Sequence, residues 1–221
     1  MKKQEPKPKS TAARRSHNRE RGFSMIELAV VCIIICTIAT IALIQINPSL
    51  QSARSDNAMR VVLDQLRQAR EYAIANRRYV QIAFSTVAGK PQIVITQMNT
   101  KSGAGAGTTD VVLSTVYVPS PMQYTLVGSM PDTPDGFGNS SAIAFKIEGT
   151  STVPTGSMYF QSDGELVDSA TNNPIDGTIF LGVAGNNSSA RAVTVMGSTG
   201  RVRGWRSTGA GATSATAWFR F

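Results

Sequence analysis

Histidine occurs once in the 221 residues, at His17, and cysteine twice, at Cys32 and Cys36. A single histidine so early in the chain leaves no histidine-based catalytic constellation in the remaining 204 or so residues. Both cysteines lie inside an apolar run, four residues apart, so the chain beyond that run has no disulfide, and two lone thiols make a poor metal site. Acid is scarce at the other end: no Asp or Glu follows Asp176, and the last 45 residues carry five arginines unopposed. No nucleophile, base and orienting group fall together anywhere. These absences argue against an enzyme, a cofactor or a bound metal.

The longest feature present is apolar. From Leu28 to Ile44 the sequence runs 17 residues without a charge, and Phe23, Met25, Ile26 and Ile46 extend it. As a helix at ~1.5 Å per residue, residues 23–46 cover roughly 36 Å, enough for a hydrocarbon layer of about 30 Å. Glu27 is the exception in this stretch. A carboxylate taken deep into a membrane without a partner costs up to ~3 kcal/mol, so its position predicts one.

Charge is unevenly placed. Of the 22 basic and 14 acidic residues, eight and two precede Phe23, which leaves 14 and 12 for the remainder. The basic pI is therefore mostly a property of residues 1–22 and needs no nucleic acid to explain it. By the positive-inside rule the same residues hold the N-terminus in the cytoplasm and send the C-terminal part outward. Ordinary signal-peptide cleavage would have to fall at Thr37, Ala39, Thr40 and Ala42, within an unbroken apolar run, where it fits poorly.

Gly22-Phe23-Ser24-Met25-Ile26-Glu27-Leu28 resembles the prepilin cleavage and methylation motif of type IV pilins and type II secretion pseudopilins. The resemblance implies a peptidase of the inner membrane that cuts between Gly22 and Phe23 and methylates the new amine of Phe23. Glu27, fifth in the mature chain, would then pair with the Phe23 amine of a neighbouring subunit during assembly. The chemistry agrees, because cleavage creates a cation of unperturbed pKa about 7.7 to 8 that can partner a half-buried carboxylate. The alternative is an uncleaved signal anchor with Glu27 at the headgroups.

Beyond the apolar run, Asn47-Pro48-Ser49 marks either a kink in one long helix or a break between two. From Leu50 to Arg78, Ala58, Val61, Val62, Leu66, Ala69 and Ala73 recur at helical spacing, with Arg54, Asp56, Arg60, Asp64, Arg67, Arg70 and Glu71 between them. An amphipathic helix that lays its apolar stripe on a sheet is predicted, its mixed charges forming a solvated face. Leu63 to Ile74, then Arg77-Arg78 and Tyr79 to Phe84, resemble the GspH/FimT subfamily of minor pilins and pseudopilins. In that subfamily such a helix runs directly into the first strand.

After residue 78 the period changes to two. Strands are predicted at Tyr79 to Phe84, Gln92 to Met98, Val111 to Val118, Ala142 to Ile147, Ser157 to Gln161, Thr178 to Val183 and Arg191 to Met196. Polar, glycine-rich loops lie between them, notably Lys101 to Thr109 and Pro131 to Ser141. Asp163-Gly164 reads as a turn in which glycine supplies positive φ, and not as a catalytic carboxylate.

Arg191 to Arg206 reads as a hairpin turning at Gly197-Ser198-Thr199-Gly200. On its second strand Arg201, Arg203 and Trp205 share one face about 6.6 to 7 Å apart, a row able to grip phosphates and stack a base, with Arg206 beside it. Gly200-Arg201-Val202-Arg203 also resembles the Gly-Arg-x-Arg motif of FimT-type minor pilins that bind DNA during natural transformation. In secretion pseudopilins and pilus-tip subunits, similar arginines hold neighbouring loops or subunits instead, and both readings stay open. Residues 207–217 read as a flexible link before a final strand that buries the terminal aromatics.

The expectation is thus an α+β, pilin-like chain. It comprises a removable leader 1–22, a transmembrane and assembly helix 23–46, an amphipathic extension 47–78 and an antiparallel β-rich domain 79–221. Expected partners are other pilins or pseudopilins, the prepilin peptidase, the inner membrane and, on the DNA-uptake reading, DNA. A membrane-anchored extracytoplasmic β-protein outside any filament is the remaining alternative.

Overall fold

The computed structural model describes residues 22–99, 110–128, 130–209 and 217–221, at 42–48 by their backbone alone. Residues 1–21 of the leader 1–22, the loop at 100–109 and residues 210–216 of the link 207–217 therefore lie outside the described residues. The chain divides into two compact units, Met1–Gln45 and Ile46–Phe221.

Helix α1 spans Met25–Asn76, so Asn47-Pro48-Ser49 lies within one helix and not between two. In the first unit every described side chain from Phe23 to Ile41 is exposed, with Phe23 at 80%, Met25 at 92% and Ile38 at 62%. Apolar side chains presented all round a helix need a cover of lipid or protein. The described part of the apolar run stops at Ile41, and among the described residues no helix is long and apolar enough to cross a membrane.

In the second unit the helix ends at Asn76, where Arg77 takes a positive φ of 51° and the Arg78 N–H bonds back to the Ala73 carbonyl at 3.2 Å. That left-handed residue redirects the chain into a strand. Eleven strands follow among the described residues, all paired antiparallel: β1 Tyr79–Val87, β2 Lys90–Met98, β3 Val111–Tyr117, β4 Gln123–Tyr124, β5 Ile143–Ile147, β6 Met158–Phe160, β7 Leu166–Asp168, β8 Ile175–Val183, β9 Asn186–Met196, β10 Arg201–Ser207 and β11 Trp218–Arg220. They form one sheet in the order β3-β2-β1-β6-β7 and another in the order β11-β10-β9-β8-β4, with β5 also paired to β8. A helix followed by an antiparallel β domain is the α+β organisation that the sequence predicts.

Ala58, Met59, Val62, Leu63, Leu66, Ala69 and Ala73 form the buried stripe of α1. It packs in one core with Val80 and Ile82 of β1, Ile93 and Ile95 of β2, Ile179 of β8 and Val193 and Val195 of β9. Each fully buried Val, Leu, Ile or Met stabilises the fold by about 1.5–3 kcal/mol. The far face of the second sheet is also covered. Phe180, Ala190, Ala192, Trp205 and Trp218 pack there with Val127 and Met130. Hence β8 and β9 are buried on both faces and lose the in/out alternation of a half-exposed strand.

Two expectations are corrected by this packing. The final strand exists as β11, but it buries only Trp218; Phe219 is 62% exposed. β4 and β7, with two and three residues, were not predicted, being too short to show a period.

Candidate functional site

Two places carry the predicted site residues, one in each unit. Gly22 and Phe23 precede the first turn of α1, and Glu27 is the acidic residue in that turn. Gly22, Phe23 and Glu27 are all exposed, and the Leu28 N–H bonds to the Ser24 carbonyl at 3.1 Å. The helix N-terminus is the end where a carboxylate is favoured by the backbone dipole, by about 0.3–1 kcal/mol. Glu27 has no ion-pair partner among the described residues.

The second place is β10. Its alternation puts Arg201, Arg203 and Trp205 on the face away from α1, and Val202, Gly204 and Arg206 on the face toward it. Val202 packs against the helix core, and Gly204 has Leu63 and Met59 as near neighbours. Arg206 therefore does not join the predicted row. It reaches Asp56 at 3.6 Å and donates to the Ser52 hydroxyl at 2.6 Å.

Within the row only Arg201 is exposed, its guanidinium lying 3.8 Å from Met196 Sδ. Asp135, from the loop that follows Met130, occupies the other two. It accepts hydrogen bonds from Arg203 at 2.6 Å, Trp205 Nε1 at 3.2 Å and Thr194 Oγ1 at 2.6 Å. Trp205 is 7% exposed, and its indole N–H also reaches Thr194 at 3.0 Å. Arg203 Nε is buried with no partner among the described residues. The Asp135 carboxylate thus holds the place a phosphate would take, and the Trp205 indole is packed in a core with no free face for a base.

Asp132 shapes the same loop by accepting the N–H groups of Thr133 and Gly138, each at 2.7 Å. Below it Asp176 is buried and accepts the Gly197 N–H at 2.8 Å, while Glu148 accepts from Ser198 Oγ at 2.9 Å. Burial is the main force pushing the Asp176 carboxyl above its ordinary value; the Gly197 N–H pulls it back, and Glu148 and Asp135 push it further up against the pull of Lys146. Sequence reasoning missed Asp135. A lone acid in a polar loop has no local signal, and its partner Arg203 lies 68 positions away.

Residues 17–43 match the prokaryotic N-terminal methylation motif. The matched residues take in Gly22, Phe23 and Glu27 and the start of α1, the helix that precedes the antiparallel β strands. The structure of the chain is similar to that of the minor pseudopilin EpsH from the Type 2 Secretion System of Vibrio cholerae, at 12% identity and a TM-score of 0.38, over 69% of this chain and 97% of the other. That likeness is too distant to transfer a residue's role. None of the curated proteins matches the chain.

Proposed function

We propose that the chain is a minor subunit of a type II secretion pseudopilus or a type IV pilus, acting by protein–protein contacts and not as an enzyme. The observation that carries this reading is the methylation motif at residues 17–43, which contains Gly22, Phe23 and Glu27. An inner-membrane prepilin peptidase removes residues 1–22 and methylates Phe23. Residues 23–46 then hold the subunit in the membrane, N-terminus inward, until it enters the filament. The exposed apolar side chains of α1 support that placement, because a helix that is apolar all round is stable only when lipid or neighbouring helices cover it. In the filament Glu27 meets the methylated amine of a neighbour's Phe23, an ion pair formed away from bulk water.

The DNA-uptake alternative needs Arg203 and Trp205 free to meet phosphate and base. Their engagement by Asp135 favours the structural reading, in which these arginines hold a loop.

Glu27→Ala tests the proposal. Membrane anchoring should survive, while recovery of the subunit in sheared filaments or in crosslinks to other pilins should be lost. Equal incorporation of the variant would show that Glu27 is not the assembly carboxylate, and absence of the parent protein itself from filaments and crosslinks would indicate a membrane-anchored β-protein that works outside a filament.

A further inference from the structure

Strand β11 covers only part of β10. It pairs with Trp205, Arg206 and Ser207, and the Phe221 N–H reaches the Gly204 carbonyl at 3.0 Å. In an antiparallel strand, residues two apart direct their N–H and C=O groups to the same edge. The Val202 groups therefore point to the β11 side, where no strand meets them among the described residues. A cleft of about 400 Å³ lies along this open edge, lined by Arg67, Arg70, Glu71, Thr199, Gly200, Arg201 and Val202. A second cleft of about 400 Å³ shares Arg67 and continues toward Arg60 and Phe221.

Arg70 is fixed in position. Its Nε donates to the Gly164 carbonyl at 3.2 Å, and its side chain passes between two glycine turns. A Cβ on Gly200 would come within 2.6 Å of the Arg70 Nε, and one on Gly164 within 3.0 Å of it. Both glycines have positive φ, 59° and 88°, so the two turns form a slot that holds the guanidinium while its terminal nitrogens make no hydrogen bond or ion pair among the described residues. Arg67 is exposed, and none of the ion pairs among the described residues uses it.

From these observations we infer that the cleft docks an extended acidic segment of a partner protein, added to β10 in line with β11. The backbone of the segment pairs with the free Val202 groups, and its carboxylates meet Arg67 and Arg70. Strand addition supplies main-chain hydrogen bonds, and the two guanidiniums select acidic side chains. A nucleic acid fits less well, since no aromatic side chain lines the first cleft to stack a base and the Phe221 ring of the second is covered by the Arg60 guanidinium, 4.9 Å from its centroid; Glu71 and Asp64 repel either anionic ligand alike.

The test uses the full-length protein in detergent micelles and fluorescence anisotropy. The probes are a labelled peptide of alternating glutamate and valine, the same peptide with a methylated backbone, its lysine–valine counterpart and a short single-stranded DNA. The glutamate peptide should bind, with affinity about tenfold or more lower for Arg67→Glu, in keeping with the loss of charge-assisted hydrogen bonds. Arg78→Ala, an exposed arginine outside the cleft, should leave binding unchanged. Backbone methylation should abolish binding, and this arm needs no variant protein. No binding of the glutamate peptide, equal binding of the methylated or lysine peptide, no effect of Arg67→Glu, or binding of DNA alone would each overturn the inference.

Discussion

Asp56 of α1 and Arg191 of β9, 135 positions apart, form an ion pair at 2.6 Å in which the arginine side chain is wholly buried and the carboxylate is 20% exposed. Arg191 also donates to the carbonyls of Ser188 and Ala190, each at 2.9 Å, and to the Ser52 hydroxyl at 3.2 Å. Burial pulls this guanidinium below its ordinary pKa, and Asp56 pulls it back up. The pair fixes the register of the helix on the second sheet. Asp56→Ala leaves a buried cation without its counter-ion and should cost about 3–5 kcal/mol in urea unfolding. Arg191→Met should cost less, because Asp56 stays partly solvated and keeps Arg206 within reach.

Asp135 is the corresponding tie on the other face. Asp135→Ala should lower stability by about 2–4 kcal/mol, since it strands the Arg203 guanidinium and takes from the Trp205 indole N–H one of its two acceptors, leaving Thr194. Trp205 is one of only two tryptophans, so its emission should shift to the red. Unchanged emission and stability would mean that the loop is not held by this carboxylate.

Gly200 and Gly136 both adopt positive φ, 59° and 72°, but only Gly200 is crowded. A Cβ at Gly136 meets open space, so Gly136→Ala should cost the left-handed penalty alone, about 1–2 kcal/mol. A Cβ at Gly200 would collide with the Gly164 carbonyl and the Arg70 side chain. Gly200→Ala should therefore cost several kcal/mol, on the order of 3–5, in thermal or urea unfolding.

Asp176 makes stability depend on pH in an unusual direction for an acid. Its folded-state value is raised from 3.8, chiefly by burial, so above that pH the unfolded chain gives up the proton first. Stability from this group is present at lower pH and is lost as pH rises through the raised folded value, after which the loss stays constant. Asp176→Asn should remove that slope, with an amide oxygen still available to the Gly197 N–H. Urea midpoints measured from about pH 3 to neutrality should be flatter for the variant, and at neutrality no lower than the parent's.

The strands with one apolar and one polar face were legible because burial there follows the period of two: β1 shows the alternation from Tyr79 onward and β2 from Lys90. The helix stripe was legible for the same reason at its own period. Leu166-Val167-Asp168 was not, because all three residues are buried and Asp168 is satisfied by the Gly156 N–H at 2.7 Å and by Thr171. The facing of Arg201, Arg203 and Trp205 followed from strand geometry, whereas their environment depended on the distant Asp135. Arg191 read as the start of a strand, and nothing nearby in sequence marked it as a buried ion bound to α1.

The central claim is that Gly22–Phe23 is a processing site, and the intact mass of the protein purified from its native membrane tests it most directly. The account predicts a chain that begins at Phe23, lacks residues 1–22 and carries one methyl group on its terminal amine. A chain that keeps its leader, or one cut beyond the apolar run, would contradict it.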